Sequence, residues 1–206
     1  MLEWWPVGTE QEVGPPMPTR VVIAEDEAII RLDLRETLEE EGYEVVGETG
    51  RGDQAVELVR RLRPDIAILD IKMPGQTGLE VAKTITAERI CGVLILTAFS
   101  QRDVIEQARD AGALAYLVKP FQKSELVPAI ELAIARHTEL AALSAEVAGL
   151  EAQLEARKVI DRAKGILMDR DGMREADAFS HIQRRAMSER RKMRDVAQEI
   201  VDQSVR

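Results

Sequence analysis

Five short apolar runs, rich in β-branched residues, recur between residues 20 and 118, and stretches with helical periodicity separate them. Strands joined through helices lie parallel, and a parallel sheet is covered by helices on both faces. The alternation therefore predicts an α/β fold with a five-stranded, doubly wound parallel sheet. The expected strands lie at about 20–25, 43–48, 65–70, 92–97 and 114–118. The expected helices lie at about 27–41, 54–63, 77–89 and 101–111.

The chain changes character after Pro120. The sequence favours helix as far as Met168, and Gly172 then interrupts the pattern. Two short amphipathic helices are expected beyond this point, so residues 155–206 are predicted to form an all-α unit of three helices. Residues 1–19 hold four prolines and two tryptophans without periodicity, and we expect a disordered leader there. The predicted division of the chain is 1–19, 20–124, a helical or coiled-coil linker at 125–154, and 155–206.

The predicted linker contains apolar residues at alternating steps of three and four positions. This spacing covers two heptads of a coiled-coil seam, which pairs two helices. A coiled coil is usually recognised from three or four heptads, so packing of the seam within its own chain is an alternative. We predict that the seam forms a homodimer. Its members are Leu140, Leu143, Val147, Leu150 and Leu154.

The composition limits both the chemistry and the compartment. Cys91 is the only cysteine, which excludes an intrachain disulfide or a site of several thiolates and fits a reducing cytoplasm. No apolar run approaches the roughly 20 residues that span a bilayer, so no membrane association is expected. Residues 1–156 carry a net charge of −13, whereas residues 157–206 carry +4. This asymmetry predicts that a polyanion binds to the C-terminal part, and a solvated helix surface is the alternative.

Polar residues follow four of the five predicted strands. They are Glu25 and Asp26 after the first run, Asp70 at the end of the third, Thr97 and Ala98 after the fourth, and Lys119 after the fifth. Because the carboxyl ends of parallel strands meet at one edge, we expect these side chains to converge. Clustered carboxylates suit Mg²⁺, which is usually shared with phosphate oxygens. The set predicts a phosphoryl site, with Asp70 as the nucleophile and with Thr97 and Lys119 on phosphoryl oxygens.

Four motifs carry a family resemblance: Ala24-Glu25-Asp26-Glu27, Leu69-Asp70-Ile71-Lys72-Met73-Pro74-Gly75, Leu96-Thr97-Ala98 and Tyr116-Leu117-Val118-Lys119-Pro120-Phe121. With them, residues 20 to about 124 resemble the flavodoxin-like receiver domain of bacterial two-component response regulators. The resemblance implies that a sensor histidine kinase phosphorylates Asp70. It implies that the acidic pair and the backbone carbonyl of Lys72 bind Mg²⁺, and that Thr97 and Tyr116 form the switch. It also implies a regulator, with no catalysis beyond its own phosphorylation and dephosphorylation.

A second set of residues lies in the C-terminal part: Arg162-Ala163-Lys164-Gly165-Ile166-Leu167-Met168, Gly172-Met173, Glu175-Ala176, Ala178-Phe179, Ile182, Ala186-Met187, Val196-Ala197 and Ile200. Their spacing resembles the ANTAR domain, a three-helix RNA-binding module. The whole chain resembles actinobacterial phosphorylation-dependent transcription antiterminators. This implies a homodimer on phosphorylation that binds paired RNA stem-loops and disfavours a terminator hairpin.

The residues themselves give partial support for RNA. Residues 157–194 carry 12 basic and 6 acidic side chains, which favours contacts to phosphates. Phe179 is the only aromatic residue after Phe121, and its spacing favours a core position over a base-stacking one. The candidate RNA contacts are Arg157, Lys164, Arg184, Arg185 and Arg191.

Two other functions compete with this one. A DNA-binding regulator would use the last two helices as a helix-turn-helix, with Arg190, Arg191, Lys192 and Arg194 at the second helix. The turn between them lacks the glycine often found there, and the long helix would be unexplained. An aspartyl-phosphate phosphatase usually carries a second Asp two residues after its nucleophile. Lys72 occupies that position, which argues against the enzyme.

Overall fold

The computed structural model describes residues 18–98 and 102–204 and divides into two compact units after Leu140. The predicted leader lies outside the described residues except for its last two positions. In chain order the elements are β1 (Arg20–Ala24), α1 (Ala28–Glu40), β2 (Glu44–Thr49), α2 (Gly52–Leu62), β3 (Ile66–Asp70), α3 (Gly78–Ala87), β4 (Gly92–Thr97), α4 (Arg102–Asp110), β5 (Ala115–Val118), α5 (Lys123–Asp171), α6 (Glu175–Glu189) and α7 (Met193–Ser204).

The first unit contains a five-stranded sheet in the order β2-β1-β3-β4-β5, and all neighbouring strands are parallel. This confirms the predicted doubly wound α/β fold. Alternate residues of each central strand point to opposite faces, as the pleat requires. Val22 and Leu69 pack in a core with α2 and α3, whereas Ile23 and Ile68 pack in a core with α1 and α5. Both faces are covered, which explains why these strands are apolar throughout.

Helix α3 begins directly behind the end of β3. A Cβ on Gly78 would lie 1.9 Å from the backbone oxygen of Asp70, so only glycine fits this position without a shift of the backbone. The Gly78 amide donates to the carbonyl of Ile71 at 2.9 Å. Thr77 and Glu80 form a capping box that fixes the start of the helix. The backbone around Asp70 is therefore held against the first turn of α3.

Replacement of Gly78 by alanine is expected to destabilise the first unit by about 1–3 kcal/mol, because the methyl group would force the helix and the Asp70 backbone apart. Hydrogen exchange of the β3 amides measures the effect on that unit. Gly165→Ala in α5 is the control, since a Cβ there meets nothing within 4 Å and alanine favours helix. Equal exchange rates in Gly78→Ala and wild type would contradict the expectation.

The second unit has a small core built from the end of α5 together with α6 and α7. Each helix supplies small or branched residues at steps of three and four. The buried members are Ala163, Leu167, Ala178, Ile182, Ala186, Val196, Ala197, Ile200 and Val201. The three helices agree with the predicted all-α unit. No helix in the described part of the chain is long and apolar enough to cross a membrane.

Helix α5 is one continuous helix of 49 residues that includes the predicted helical linker at 125–154 and ends three residues after Met168, to which the sequence favours helix. The five members of the predicted seam lie on it and are 52 to 59% exposed. Their pairing with a second helix stays a prediction. The exposed seam residues form an apolar stripe on α5 of the kind that pairs with a second helix.

Candidate functional site

Three carboxylates lie at the carboxyl edge of the sheet. Asp70 is the last residue of β3 and is buried, Glu25 directly follows β1 and is fully buried, and Asp26 next to it is exposed. One carboxylate oxygen of each lies within 4.8 Å of those of the other two. The structure thus brings together the three acidic residues that the strand ends suggested.

Lys119 balances part of this negative charge. Its Nζ lies 2.5 Å from Oε2 of Glu25 and 2.7 Å from Oδ1 of Asp70. Burial and the nearby Asp70 raise the pKa of Glu25, although the hydrogen bond from Lys119 opposes them. Burial alone would lower the pKa of Lys119, but its bonds to Asp70 and Glu25 outweigh burial and raise the pKa. At neutral pH the cluster holds a cation among its carboxylates.

The second oxygen of Asp70 faces the loop after β3. Its Oδ2 accepts a hydrogen bond from the backbone amide of Lys72 at 2.7 Å. This contact orients the carboxylate and places the Lys72 backbone, whose carbonyl was the predicted metal ligand, beside the acidic group. Thr97 ends β4 in a buried position, and its carbonyl accepts from the Lys119 amide at 2.7 Å. Backbone bonds therefore tie the ends of β3, β4 and β5 around Asp70.

A cleft of about 190 Å³ opens above these residues. Its walls are Asp26, Glu27, Asp70, Ile71, Lys72, Thr97, Ala98 and Lys119. Carboxylates and a backbone carbonyl are hard oxygen ligands of the kind that Mg²⁺ prefers, and a partly open cleft leaves room for its waters. The donor set fits Mg²⁺, with Glu25, Asp26, Asp70 and Lys72 as the residues that would hold it.

Tyr116 is the predicted switch residue that this arrangement does not bring to the cleft. It pairs with Ile95 in the sheet and is 43% exposed. Its side chain lines a separate cavity of about 380 Å³, together with Ile105 of α4 and Leu132 of α5. In this conformation Tyr116 faces outward, and its role in switching stays a prediction.

Arg31 is a residue at the site that sequence reasoning missed. It lies on α1, and its guanidinium donates to the backbone carbonyl of Glu25 at 2.5 Å. Gly50, after β2, allows this approach, since a Cβ there would lie 3.2 Å from the guanidinium. The bond fixes the β1–α1 loop that carries Asp26. An arginine in the first turn of an amphipathic helix gives no sequence signal for such a contact.

Replacement of Glu25 by glutamine is expected to stabilise the metal-free protein by about 1 kcal/mol at neutral pH, because it removes one of three mutually repelling carboxylates. The raised pKa of Glu25 gives the sign: wild type should gain stability as the pH falls through that pKa, and the variant should not. Urea denaturation in EDTA at several pH values measures both effects.

Magnesium should make wild type more stable than the Glu25→Gln variant. At ten times its dissociation constant Mg²⁺ adds about 1.4 kcal/mol to wild type, and the variant should gain less. Asp53→Asn, at an exposed carboxylate outside the cluster, is the control and should respond to Mg²⁺ as wild type does. An equal gain from Mg²⁺ in Glu25→Gln and wild type would remove Glu25 from the metal site.

The five candidate RNA contacts are not equivalent in the second unit. Lys164 is only 16% exposed in its side chain and pairs with Asp161 at 2.9 Å and Glu175 at 2.8 Å. Arg157 is well exposed and lies 3.9 Å from Asp161. Arg184 is exposed and donates to the Ser180 carbonyl at 3.3 Å.

Arg185 and Arg191 share two acidic partners, Glu189 and Glu199, at 2.7 to 2.8 Å. These contacts connect α6 with α7, so the two arginines stabilise the helix pair. Four basic residues outside the predicted set form no ion pair with any residue of the described ranges. They are Arg162, Arg190, Lys192 and Arg194.

The core position predicted for Phe179 is wrong: the residue is 42% exposed. The buried row of α6 consists of Ala178, Ile182 and Ala186. Phe179 follows Ala178 by one residue and is therefore rotated about 100° away from that row. Small alanines in the row bring the helices close together and leave the larger ring at the side. An aromatic residue at this position is available to a ligand.

The turn between α6 and α7 removes one argument made from the sequence. Arg190 adopts the left-handed conformation, with φ of 52°, and so takes the part that glycine usually has in such turns. The absence of glycine therefore does not separate an RNA-binding unit from a helix-turn-helix.

Two family models match the chain. Residues 21–131 match the response regulator receiver domain, and residues 148–201 match the ANTAR domain. A doubly wound unit with a buried aspartate beside an acidic pair and a lysine is the structure expected of a receiver. The chain belongs to the response regulators of two-component systems, in the group that joins a receiver to an ANTAR domain.

Among curated proteins, the transcriptional regulatory protein PdtaR of Mycobacterium tuberculosis is 53% identical over 195 residues, which covers 95% of either chain. The chemotaxis protein CheY of Thermotoga maritima is 37% identical over 115 residues, 55% of this chain and 96% of that protein. A solved DNA-binding response regulator of the LuxR family from Staphylococcus aureus matches with 33% identity and a TM-score of 0.54, covering 56% of this chain and 98% of the solved one. The similarity to PdtaR extends over both units.

Proposed function

We propose that a sensor histidine kinase phosphorylates Asp70, and that the phosphorylated chain dimerises, binds RNA stem-loops and causes transcription antitermination. The observation that carries the proposal is the contact of Lys119 with both Asp70 and Glu25 in a chain that also holds an ANTAR domain. A buried, oriented carboxylate with a lysine beside it suits phosphoryl transfer. An RNA-binding unit in the same chain supplies the output.

The chemistry follows from the position of each group. A carboxylate oxygen of Asp70 attacks the phosphorus of a phosphohistidine, an O–P bond forms, the N–P bond breaks, and the electron pair leaves with the imidazole nitrogen. Lys119 and the hydroxyl of Thr97 stabilise the phosphoryl oxygens as their charge is redistributed. Mg²⁺, held by Glu25, Asp26, Asp70 and the Lys72 carbonyl, would supply charge neutralisation for the same oxygens.

Phosphorylation changes the balance of the cluster. Oδ1 of Asp70 holds Lys119 at 2.7 Å, and conversion of Asp70 to an acyl phosphate replaces one negative charge by close to two on an added group. Lys119 and Thr97 are then drawn toward the phosphoryl oxygens. Lys119 follows β5 directly and Thr97 ends β4, so the edge of the sheet that faces α4 and α5 receives the change. Such a charge change is suited to bias a two-state element.

The seam on α5 gives the proposed dimer its interface. Five apolar side chains more than half exposed on one helix are costly in water, and pairing with the same stripe of a second chain covers them. A dimer presents two RNA-binding units together. The second stem-loop of a paired target then binds at a high effective concentration.

A DNA-binding function is the second candidate, and a basic corner between α6 and α7 favours it. Arg190, Arg191 and Lys192 are consecutive there. Duplex DNA and hairpin RNA of equal charge, compared at one salt concentration, separate the two functions, since phosphate contacts alone give similar affinities. A preference for duplex DNA would replace the RNA function.

The test of the proposed function measures mass and RNA affinity on one sample. Light scattering and filter binding are carried out on the full chain with and without acetyl phosphate and Mg²⁺, using RNA hairpins from a random-loop pool. A shift from monomer to dimer with tighter RNA binding is the expected result. RNA binding that is indifferent to phosphorylation would leave the ANTAR function and remove the switch.

A further inference from the structure

Helix α6 exposes a row of uncharged side chains on one face. Phe179, Gln183 and Met187 are spaced four residues apart and therefore lie along one side of the helix. Phe179 is 42% exposed and Met187 is 73% exposed. Ala176 and Ser180 beside them are small and exposed. We call these five residues the α6 stripe.

The α6 stripe is separate from the core of its unit. The buried row of the helix, which begins at Ala178, packs against α5 and α7, so folding of the unit does not use the stripe. The stripe also lies on a different helix from the seam of α5. About a third of this chain is charged, yet the five stripe positions carry no charge. A second exposed surface in the C-terminal unit is thus suited to apolar or stacking contacts.

The charges around the stripe favour a polyanion as its occupant. Arg184 follows Gln183 on the same helix and forms no ion pair with a described residue. Arg190 and Lys192, at the end of the helix, are likewise without an acidic partner among the described residues. The groove along α7, in contrast, holds three acidic side chains beside Arg191, and Glu199 there is paired with Arg185 and Arg191. The acidic side chains are Asp195, Glu199 and Asp202, so this groove offers less unpaired positive charge than the end of α6.

We propose that the α6 stripe is the surface that binds the unpaired bases of an RNA hairpin loop, with Phe179 stacked on one base. The proposal rests on the RNA-binding function proposed above. Loop bases are splayed out and stack on aromatic rings, whereas the bases of a paired stem are not accessible to a ring. The amide of Gln183 donates and accepts at a base edge, Met187 covers the next base, and Arg184 contacts the phosphate between them.

The test uses an RNA hairpin enriched from a random-loop pool on the phosphorylated wild-type chain, and copies of it with one abasic loop nucleotide each. Phe179→Ala is expected to weaken binding about 10-fold, the usual effect of losing one stacked base, with the same dependence on salt. Phe179→Trp should bind within about twofold of wild type, because a larger ring also stacks. At one loop position, removal of the base should not weaken binding to the Phe179→Ala variant any further, because the ring and that base interact as a pair.

Phe179→Leu separates stacking from apolar contact. It keeps an apolar side chain without a ring, and it should bind as weakly as the alanine variant. Gln198→Ala, at an exposed position of α7, is the control with unchanged affinity. Circular dichroism confirms that each variant is folded.

Three results would overturn the proposal. They are affinity within twofold of wild type for Phe179→Ala, full affinity for Phe179→Leu, and a changed dimer mass at unchanged RNA affinity, which would assign the stripe to a protein partner. Failure of the wild-type chain to enrich any hairpin would instead refute the proposed RNA function itself, so the two failures are distinguishable.

Discussion

Asp70→Asn should be the substitution with the largest effect, and no phosphoryl group should be found on the variant after treatment with acetyl phosphate and Mg²⁺. An amide oxygen is a poor nucleophile. The substitution keeps the size of the side chain, and the amide oxygen can still accept the hydrogen bond that the Lys72 amide donates to Oδ2 of Asp70. Intact-mass spectrometry measures the added phosphoryl group. Light scattering and filter binding on the same sample should show neither the dimer nor the gain in RNA affinity.

The control for this result is Asp53→Asn, since Asp53 is a half-exposed carboxylate of the same unit, paired with Arg51 outside the cleft. It should be phosphorylated and should dimerise as wild type does. Removal of the Asp70 charge also takes one ion pair from Lys119, but the Nζ of Lys119 keeps its ion pair with Glu25. Asp70→Asn that dimerised and bound RNA as tightly as the phosphorylated wild type would refute the phosphorylation switch.

The sheet could be predicted because two independent features of the sequence indicate its strands. Apolar runs such as Val21-Val22-Ile23 mark each strand, and helical stretches between the runs require parallel pairing. Strand order is not local information: β1 lies between β2 and β3, which depends on crossovers and not on any residue pattern. The end of the first domain was likewise hidden, because α5 continues through it without a break in helical periodicity.

The site was predictable for the residues that follow strands and not for those that reach it from elsewhere. Glu25, Asp70 and Lys119 converge because parallel strands end at one edge. Arg31 and Gly78 reach the same place through a helix side chain and a close backbone approach, and neither leaves a pattern in the sequence. Such contacts depend on distances that only the packed chain defines.

The second unit shows the limit of periodicity more clearly. Residues 178 and 179 are both apolar, and spacing alone does not decide which faces the core. Ala178 is buried, and Phe179 is at the side. The same limit applies to charged residues. Lys164 and Arg184 are equally plausible RNA contacts in the sequence, yet Lys164 is paired with Asp161 and Glu175, whereas Arg184 has no acidic partner in the described chain.

Replacement of Leu143 and Leu150 by glutamate should prevent dimerisation even of the phosphorylated chain. Both side chains are more than half exposed, so the folded monomer loses little, whereas the seam of a dimer would bury four carboxylates without partners. An RNA with two stem-loops should then bind about 100-fold more weakly, because the second contact is no longer intramolecular. A single stem-loop should bind as it does to wild type. Light scattering and filter binding measure mass and affinity.

Ala145→Glu with Ala152→Glu is the matched control, because the same two charges are added to the opposite side of α5 and both positions are exposed. This variant should keep the dimer and its affinity for the paired target. Loss of affinity for a single stem-loop in the seam variant would mean that the seam acts on the RNA-binding unit directly. A dimer that survives glutamate at both seam positions would place the dimer interface elsewhere. The exposed apolar seam would then be expected to bind another partner.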